Sequence, residues 1–488
     1  MRLCLLALCQ SCVLAVAACT DATNASPPNA VAVTATSPAV GATAVETGAP
    51  VRVVFNQPMD PTTLTAATFT VAVGGHALPL AIGYDAATYA LQGVAPLLPE
   101  STYDVTVTTG VRSAAGTGLN SAAEWTFTTR RWETVTVDTM GAIGHAVSLG
   151  LDGSGRVHVG FYDDVHGDAR GDLEYATCAA ACTTAGNWQV VTVDTAGAGV
   201  QASLAAEKSG RVDIAYSDEP HGDLKYATCA AGCATAANWQ TVAIDTAGTV
   251  GSAVSLAVDA GGRLHVSYSG LTAGLRYATC GAACTVAANW DTVTVEAGSD
   301  MYPTSLVVDA TGRVHIAYHD FDNEYLKYAT CAAACATTAG WSTVTVDPPG
   351  LSDIGASPSV AVDGTGRVHI TYSDGPNRAL KYATCAAGCA TGANWQKADV
   401  DLGGSAGVGG VTSLVVDDFG RLHVAYTDNS GGMRYGTCAA ACTVAANWRN
   451  VLVDVGDVGE FASPGVDRGG RIHVAYQDNA NQALKYAE

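Results

Sequence analysis

The sequence predicts an all-β protein, a β-sandwich module followed by a seven-bladed β-propeller of four-stranded blades, and three observations predict it. First, Trp132, Trp188, Trp239, Trp290, Trp341, Trp395 and Trp448 recur at spacings of 56, 51, 51, 51, 54 and 53 residues. A fixed period of this length marks an array of supersecondary units. Second, each unit holds four short runs rich in Val, Ile, Tyr and Thr between Gly, Asp and Asn clusters, as in WQVVTVD, SLAAE, RVDIAYSD and LKYATC within residues 188–238. That is the signature of strands, and four of them make one propeller blade. Third, the unit after Trp448 has only three strands, ending at Leu484, Lys485, Tyr486 and Glu488, while residues 132–138 (WETVTVD) form a strand with no blade before it. Residues 132–138 therefore supply the outer strand of the last blade, and the ring closes without a free sheet edge.

Residues 1–19 (MRLCLLALCQSCVLAVAAC) combine one Arg, an apolar run and a small-residue site, the form of a secretory signal rather than a spanning helix. The ending Val16-Ala17-Ala18-Cys19 resembles a bacterial lipobox. That resemblance implies lipid modification of Cys19, with the Pro-, Asn- and Ala-rich stretch 20–34 as a tether; an ordinary cleaved signal is the alternative. No other segment is long and apolar enough to cross a bilayer. The expectation is an exported protein of the cell envelope or cell surface, attached to membrane by the lipid anchor only.

Residues 31–129 lack the repeat and read as a separate all-β domain. The runs SPAVGATAV, VRVVFNQPMDPTTLTAATFTV, LLPESTYDVTVTTGV and AAGTGLNSAAEWTFTT resemble a bacterial Ig-like domain of the SbsA S-layer type. The resemblance implies a sandwich with Phe55, Phe69 and Phe127 in its core and a spacer or display role. Leu98-Pro99 followed by Tyr103 resembles a tyrosine corner, in which a buried phenol bonds backbone at a strand crossover. Only Arg130 and Arg131 separate this module from the closing strand, so the two domains are expected to be closely coupled.

Residues 132–488 carry the propeller units: a Trp-led strand, a D-x-x-G-R turn, an H-[VI]-[AGST]-[FY] strand and a third strand of consensus L-[KR]-Y-[AG]-T-C. Of sixteen cysteines, Cys4, Cys9, Cys12 and Cys19 belong to the signal region. The other twelve form six pairs: Cys178 with Cys182, Cys229 with Cys233, Cys280 with Cys284, Cys331 with Cys335, Cys385 with Cys389, and Cys438 with Cys442. An even count in an exported chain favours disulfides. Cα atoms four residues apart on one turn lie about 6 Å apart, inside the allowed range. A ring this small gains roughly 2 kcal/mol at most, so each bond pins a turn rather than the whole molecule. Two thiols without a nearby second pair make only half a zinc site.

Loop lengths sort by face, because alternate connections of an up-and-down blade fall on opposite faces. The turn from Ser148 to Arg156 and its equivalents always spans eight residues, and first Cys to Trp always spans ten. On the other face, the second-to-third-strand spacing runs from seven (Tyr426 to Met433) to twelve (Phe161 to Leu173), and the fourth-to-first spacing from nine to twelve. Repeat proteins place insertions on the binding face. That face is acidic: Asp163, Asp218, Asp320, Asp374, Asp428 and Asp478 end second strands, and Asp138, Asp194, Asp245, Glu296, Asp347, Asp401 and Asp454 end fourth strands. Most of these Asp residues are expected to bond local backbone. The richest sets are Asp163, Asp164, His166, Asp168 and Asp172; Asp218, Glu219, His221 and Asp223; and His319, Asp320, Asp322 and Glu324. These are the candidate ligand residues, and the carboxylates among them suit calcium as a ligand, although no EF-hand spacing occurs.

His158, His265, His315, His369, His423 and His473 share one slot, with Asp213 in the second blade. Six-fold repetition argues against a unique catalytic role, and the expectation is that each His packs or bonds against a neighbouring blade. Arg156, Arg211, Arg263, Arg313, Arg367, Arg421 and Arg471 are expected to form salt bridges with the turn Asp residues.

The D-x-x-G-R-[VIL]-H-V pattern resembles blade turns of sialidase-like, Asp-box propellers and of NHL propellers, but the full Asp box S-x-D-x-G-x-x-W is absent. Neither G-x-S-x-G nor H-E-x-x-H nor a P-loop occurs. The net charge of −21 argues against nucleic acid and anionic membrane surfaces. The resulting expectation is a monomeric, non-catalytic binder of a glycan or surface protein, with no cofactor. The alternatives are a glycan hydrolase or lyase using Asp163, Asp164, Asp168 or Asp172, and a purely structural envelope protein.

Overall fold

The computed structural model describes residues 30–488 apart from 140–145, 164–170, 196–197, 271–273, 299–302, 349–353 and 403–406. Cys19 and most of the tether lie outside the described residues. Those described form strands and short 3-10 turns, without an α-helix.

The first module is a sandwich of two sheets. One orders Val33–Ser37, Val51–Phe55, Ala90–Val94 and Ala81–Asp85; the other orders Ala42–Val45, Ala123–Thr129, Thr102–Val107, Phe69–Val73 and His76–Ala77. Alternation of buried and half-buried residues along Val51–Phe55 and Phe69–Val73 gives each strand one inward face. Phe55, Phe69 and Phe127 meet in the core. Tyr103 makes the expected corner: its Oη accepts from Leu98 N–H at 2.7 Å, and its ring stacks on Phe127.

Seven four-stranded antiparallel sheets follow. The second blade runs Ala198–Ala206, Val212–Asp218, Asp223–Cys229 and Gln240–Asp245, and the others repeat it. The seventh contributes Val458–Val466, Ile472–Asp478 and Ala483–Ala487, and its fourth strand is Thr134–Asp138, with Thr134 opposite Ala487 and Val135 opposite Tyr486. The ring is closed as predicted, with Glu133 and Glu488 exchanging both backbone bonds at 2.9 and 3.0 Å just after Trp132.

Two sets of contacts bind blade to blade. At the channel, the Ser of six of the seven first strands accepts a backbone N–H from the next blade. Ser148 accepts Leu204, Ser203 accepts Leu256, Ser255 accepts Leu306, Ser305 accepts Val360, Ser359 accepts Leu414 and Ser463 accepts Leu149, all at 2.9–3.0 Å. First strands are sheet edges, so these rungs satisfy N–H groups that no ladder reaches. Farther out, the Tyr of each third strand meets the Trp of the next blade edge-on, at centroid distances of 4.9–5.5 Å: Tyr175 with Trp239, Tyr277 with Trp341, Tyr382 with Trp448, and so on around the ring. Such pairs add about 0.5–1.5 kcal/mol beyond their buried area.

All six cysteine pairs form disulfides, with Cα separations of 5.7–5.9 Å: Cys178 to Cys182, Cys229 to Cys233, Cys280 to Cys284, Cys331 to Cys335, Cys385 to Cys389 and Cys438 to Cys442. Each closes a turn whose next Trp donates its indole N–H to the second Cys carbonyl. Trp188 donates to Cys182 at 2.7 Å, Trp290 to Cys284 and Trp448 to Cys442 at 2.8 Å, and Trp239 to Cys233, Trp341 to Cys335 and Trp395 to Cys389 at 2.9 Å. The disulfide thus fixes the carbonyl that holds the Trp at the head of the fourth strand.

The histidine expectation needs correction. Each His bonds within its own blade: Nδ1 accepts from the third-strand Tyr hydroxyl at 2.5–2.6 Å and Nε2 faces the turn Asp, as in Tyr328–His315–Asp309. It is the Tyr, not the His, that reaches the neighbour. In the second blade Asp213 accepts the Tyr226 hydroxyl directly, and Arg211 compensates its charge at 2.8 Å. The arginine expectation is corrected too. Asp152 and its equivalents spend one oxygen on their own turn N–H groups, as Asp152 does on Ser154 and Arg156 at 2.8 and 3.0 Å, and aim the other at the His. Among the described residues, only Arg211 and Arg421 pair with their turn acid, at 3.5 Å from Glu207 and 2.8 Å from Asp417.

Candidate functional site

The variable connections lie side by side on one face. The loop between second and third strands hydrogen-bonds the start of the next first strand: Val250 N–H donates to Gly222 O at 2.8 Å, Val408 to Arg378 O at 2.8 Å and Val458 to Gly431 O at 2.7 Å. The Ig-like module contacts the opposite face, where Arg421 and Gly470 of D-x-x-G-R turns meet Thr47, Gly48 and Ala95.

On the variable face the acids form a lattice between blades. The second-strand Tyr and third-strand Lys or Arg of one blade reach the acid that ends the previous blade's fourth strand. Tyr216 and Lys225 bond Asp194; Tyr268 and Arg276 bond Asp245 at 2.6 and 2.8 Å; Tyr318 and Lys327 bond Glu296. Tyr372 and Lys381 bond Asp347, Tyr426 and Arg434 approach Asp401, and Tyr476 and Lys485 bond Asp454. The same cations lie 3.0–3.9 Å from second-strand acids such as Asp218, Asp320 and Asp428. The expectation of backbone-bonded Asp holds for Asp320, Asp374, Asp428 and Asp478, which accept loop N–H groups. It misses the fourth-strand acids, whose main partners are a phenol and a cation across the blade junction.

Six junctions are built this way, and the seventh is not. In the first blade the Tyr is Phe161 and the cation is Glu174, set beside Asp138 of the closing strand. The third-strand consensus passed over this residue, yet LEYATC against LKYATC is a visible signal. Burial pushes the Glu174 carboxyl up to about 7; the Thr192 hydroxyl, 2.6 Å from Oε1, opposes, and Asp163, Asp172 and Asp138 add repulsion. A carboxylate with a proton to share thus stands beside further carboxylates.

The three sequence-predicted sets fall on blades one, two and four rather than in one place. Asp163 pairs in register with Asp172, while Asp164, His166 and Asp168 lie outside the described residues. Asp218 accepts from the exposed His221 at 2.8 Å, Glu219 is exposed, and Asp223 is raised by burial and by Asp218. His319 is buried with its ring 5.7 Å from that of Phe321, which is 59% exposed; Asp322 is exposed and Glu324 half-buried in the same turn. Among the described residues, no group of three or more His, Cys, Asp or Glu side chains is arranged to hold a metal ion. The central channel opens on the variable face as a cavity of about 380 Å³, with Gln201, Pro303, Ser357 and Phe461 at its mouth.

Residues 27–129 match the family model described as a bacterial Ig-like domain. No curated protein matches the chain. Among solved structures the chain is similar to a mutant of AofleA from Arthrobotrys oligospora, at 14% identity over 67% of this chain and 92% of that one, with a TM-score of 0.43. It is also similar to a protein of unknown function from Dyadobacter fermentans, at 14% identity over 73% and 98%, with a TM-score of 0.42. The alpha-L-arabinofuranosidase of Fusarium graminearum aligns at 11% identity over 73% and 96%, with a TM-score of 0.46.

Proposed function

We propose that this chain is a non-catalytic, exported and lipid-anchored surface protein that binds a glycan or a surface protein through the variable-loop face of its propeller. One observation carries the reading: the Ig-like module meets the face of invariant turns, on the opposite side from the loops in which the repeats differ. A spacer attached to one face leaves the other to present a ligand surface. Disulfides in six turns suit an oxidising, extracellular setting, and Cys19 would carry the anchor. No cofactor is part of the proposal. Six junctions on the face are satisfied by their own ion pairs, so discrimination falls to places where the pattern breaks, Glu174 and the exposed Phe321 among them.

The test is a glycan array with the purified protein, beside Glu174→Lys and Phe321→Ala. Binding weakened by either substitution supports the reading, and wild-type protein that binds no glycan removes its glycan form. One observation favours a second reading as a glycan hydrolase or lyase. Glu174, raised to about 7 by burial, has Asp163, Asp172 and Asp138 near enough to repel it, and a protonated carboxyl beside a second carboxyl group is what glycosidic cleavage requires. Turnover of a labelled polysaccharide, abolished by Glu174→Gln or Asp163→Ala, would establish that reading in place of binding alone.

A further inference from the structure

The seven-fold pattern of channel rungs is broken once. Ser413 of the sixth blade occupies the accepting position, but the residue that should donate from the seventh blade is Pro464, which has no N–H. Every other rung is present, and among the described residues the Ser413 hydroxyl has no hydrogen-bond partner. The same blade is the one assembled from both parts of the chain, its fourth strand being Thr134–Asp138. The ring therefore lacks a link at the seam where its closure is already non-local.

The Ig-like module is docked across that seam. Arg421, in the sixth blade, is 1% exposed, and all five of its guanidinium donors are used. Nε and Nη2 reach Asp417 Oδ2 at 2.9 and 2.8 Å, Nη2 reaches Gly48 O at 2.6 Å, and Nη1 reaches Thr47 O at 3.1 Å and Ala95 O at 3.0 Å. Its equivalents Arg263 and Arg313 are exposed. In the seventh blade, Arg471 holds Glu46 of the module at 3.0 Å and Glu488 at 3.1 Å, and Arg130 of the linker joins the same two acids at 3.2 and 3.5 Å. Gly48 and Gly470 press backbone on backbone, since a Cβ on Gly48 would lie 1.7 Å from Gly470 O. The residues 46–48 thus touch both blades flanking the missing rung, through a fork of buried donors that lysine could not reproduce.

We infer that the Ig-like module is the latch of the propeller: it clamps blade six to blade seven where the channel rung is missing, and ring closure depends on it. This goes beyond its role as a spacer and is independent of any ligand. Seven equivalent arginines provide internal controls. In the full chain, Arg421→Ala should raise amide hydrogen exchange in residues 458–466, 472–478 and 134–138 by about tenfold or more, as a local opening would. Arg313→Ala, at the equivalent position in blade four, should leave those segments unchanged. If Arg421→Ala does not accumulate as folded protein, Arg421→Lys keeps the charge and should show the same pattern to a lesser degree. Pro464→Ala restores the N–H opposite Ser413, and in the Arg421→Ala background it should bring blade-seven exchange back toward wild type. Faster exchange confined to residues 30–129, with blade seven unaltered, would overturn the inference, as would an Arg421→Ala phenotype that Pro464→Ala leaves untouched.

Discussion

Tyr435 of the sixth blade lies edge-on to Trp132, centroids 5.4 Å apart and planes at 69°, and Trp132 comes from the opposite end of the propeller's sequence. Five of the other Tyr–Trp contacts join blades consecutive in the chain, and Tyr486–Trp188 joins the seventh blade to the first, all with the same geometry. The two contacts made across the ends of the ring, Tyr435–Trp132 and Tyr486–Trp188, are therefore of the same kind as the internal ones, and the ring treats a join of 303 positions like a join of 64.

From that equivalence, Trp132→Ala should cost about 2–4 kcal/mol, below the about 3–5 kcal/mol of a fully buried Trp because Trp132 is half-buried. Trp290→Ala, which removes the Tyr226 contact of a buried Trp, should cost about 3–5 kcal/mol. Urea unfolding followed by Tyr fluorescence would compare them. A near-zero cost for Trp132→Ala would mean that the closing contact adds nothing to the ring.

Acid should destabilise the propeller as its buried histidines take up protons. Burial holds His158, His265, His315 and His369 below the ordinary imidazole range and takes His423 to about 4, against the pull of the turn Asp residues. An imidazole depressed in the folded state binds its proton on unfolding. Its contribution is therefore complete above the unfolded value near 6.5 and is lost as pH falls through the folded one. The urea midpoint should fall as pH drops from 6.5 to 4, and in a Glu174→Gln background, which lacks the opposing titration near 7, it should be flat from pH 8 to 7. His423→Gln should flatten that slope, at roughly 1.4 kcal/mol for each pH step over which the proton is taken up. A midpoint constant down to pH 5 would contradict the neutral Tyr–His–Asp arrangement.

The ring was legible because its determinants are local and repeated. Seven Trp residues, the D-x-x-G-R turn and the unpaired WETVTVD strand each sit within a few residues of the feature they specify. The disulfides were legible for the same reason, each Cys lying four positions from its partner. What escaped was adjacency between strands and between blades: nothing in the sequence near His315 says that Tyr328 of its own blade is its partner, or that Tyr328 in turn meets Trp395 of the next. Arg421 was hidden by its own repetition, since the residue is the same in every blade and only the docked module makes it different. Glu174 was hidden by the opposite error, a consensus that smoothed over its one reversed charge.

The six small disulfides should act independently. Each spans four residues, and loop-closure entropy for so short a ring gives at most about 2 kcal/mol. Cys331→Ser with Cys335→Ser should lower stability by no more than that, and a second such pair in a distant blade, Cys438→Ser with Cys442→Ser, should add to it. Thermal unfolding of the two double variants and their combination checks both points. Loss of the folded ring on removing one bond would show that the turns are not separately pinned.

Glu174 should lower the protein's stability in a pH-dependent way that a lysine removes. Its folded value near 7 lies above that of an ordinary carboxyl, so the folded state holds the proton more tightly. The group contributes fully below its unfolded value, and the advantage is lost as pH rises through 7, leaving a buried charge among Asp138, Asp163 and Asp172. Glu174→Gln should therefore be nearly neutral at pH 4 and stabilising by roughly 2 kcal/mol at pH 8. Glu174→Lys should stabilise further at pH 8, because it supplies the cation that Lys225, Arg276, Lys327, Lys381, Arg434 and Lys485 provide at the other six junctions. Unfolding measured at pH 4, 6 and 8 separates these outcomes. If Glu174→Lys proved destabilising at pH 8, the seventh junction would not be a cation site with its charge reversed. A carboxyl kept there at a cost in stability, beside loops that vary while the turns do not, is the trade expected where a residue serves a ligand rather than the fold.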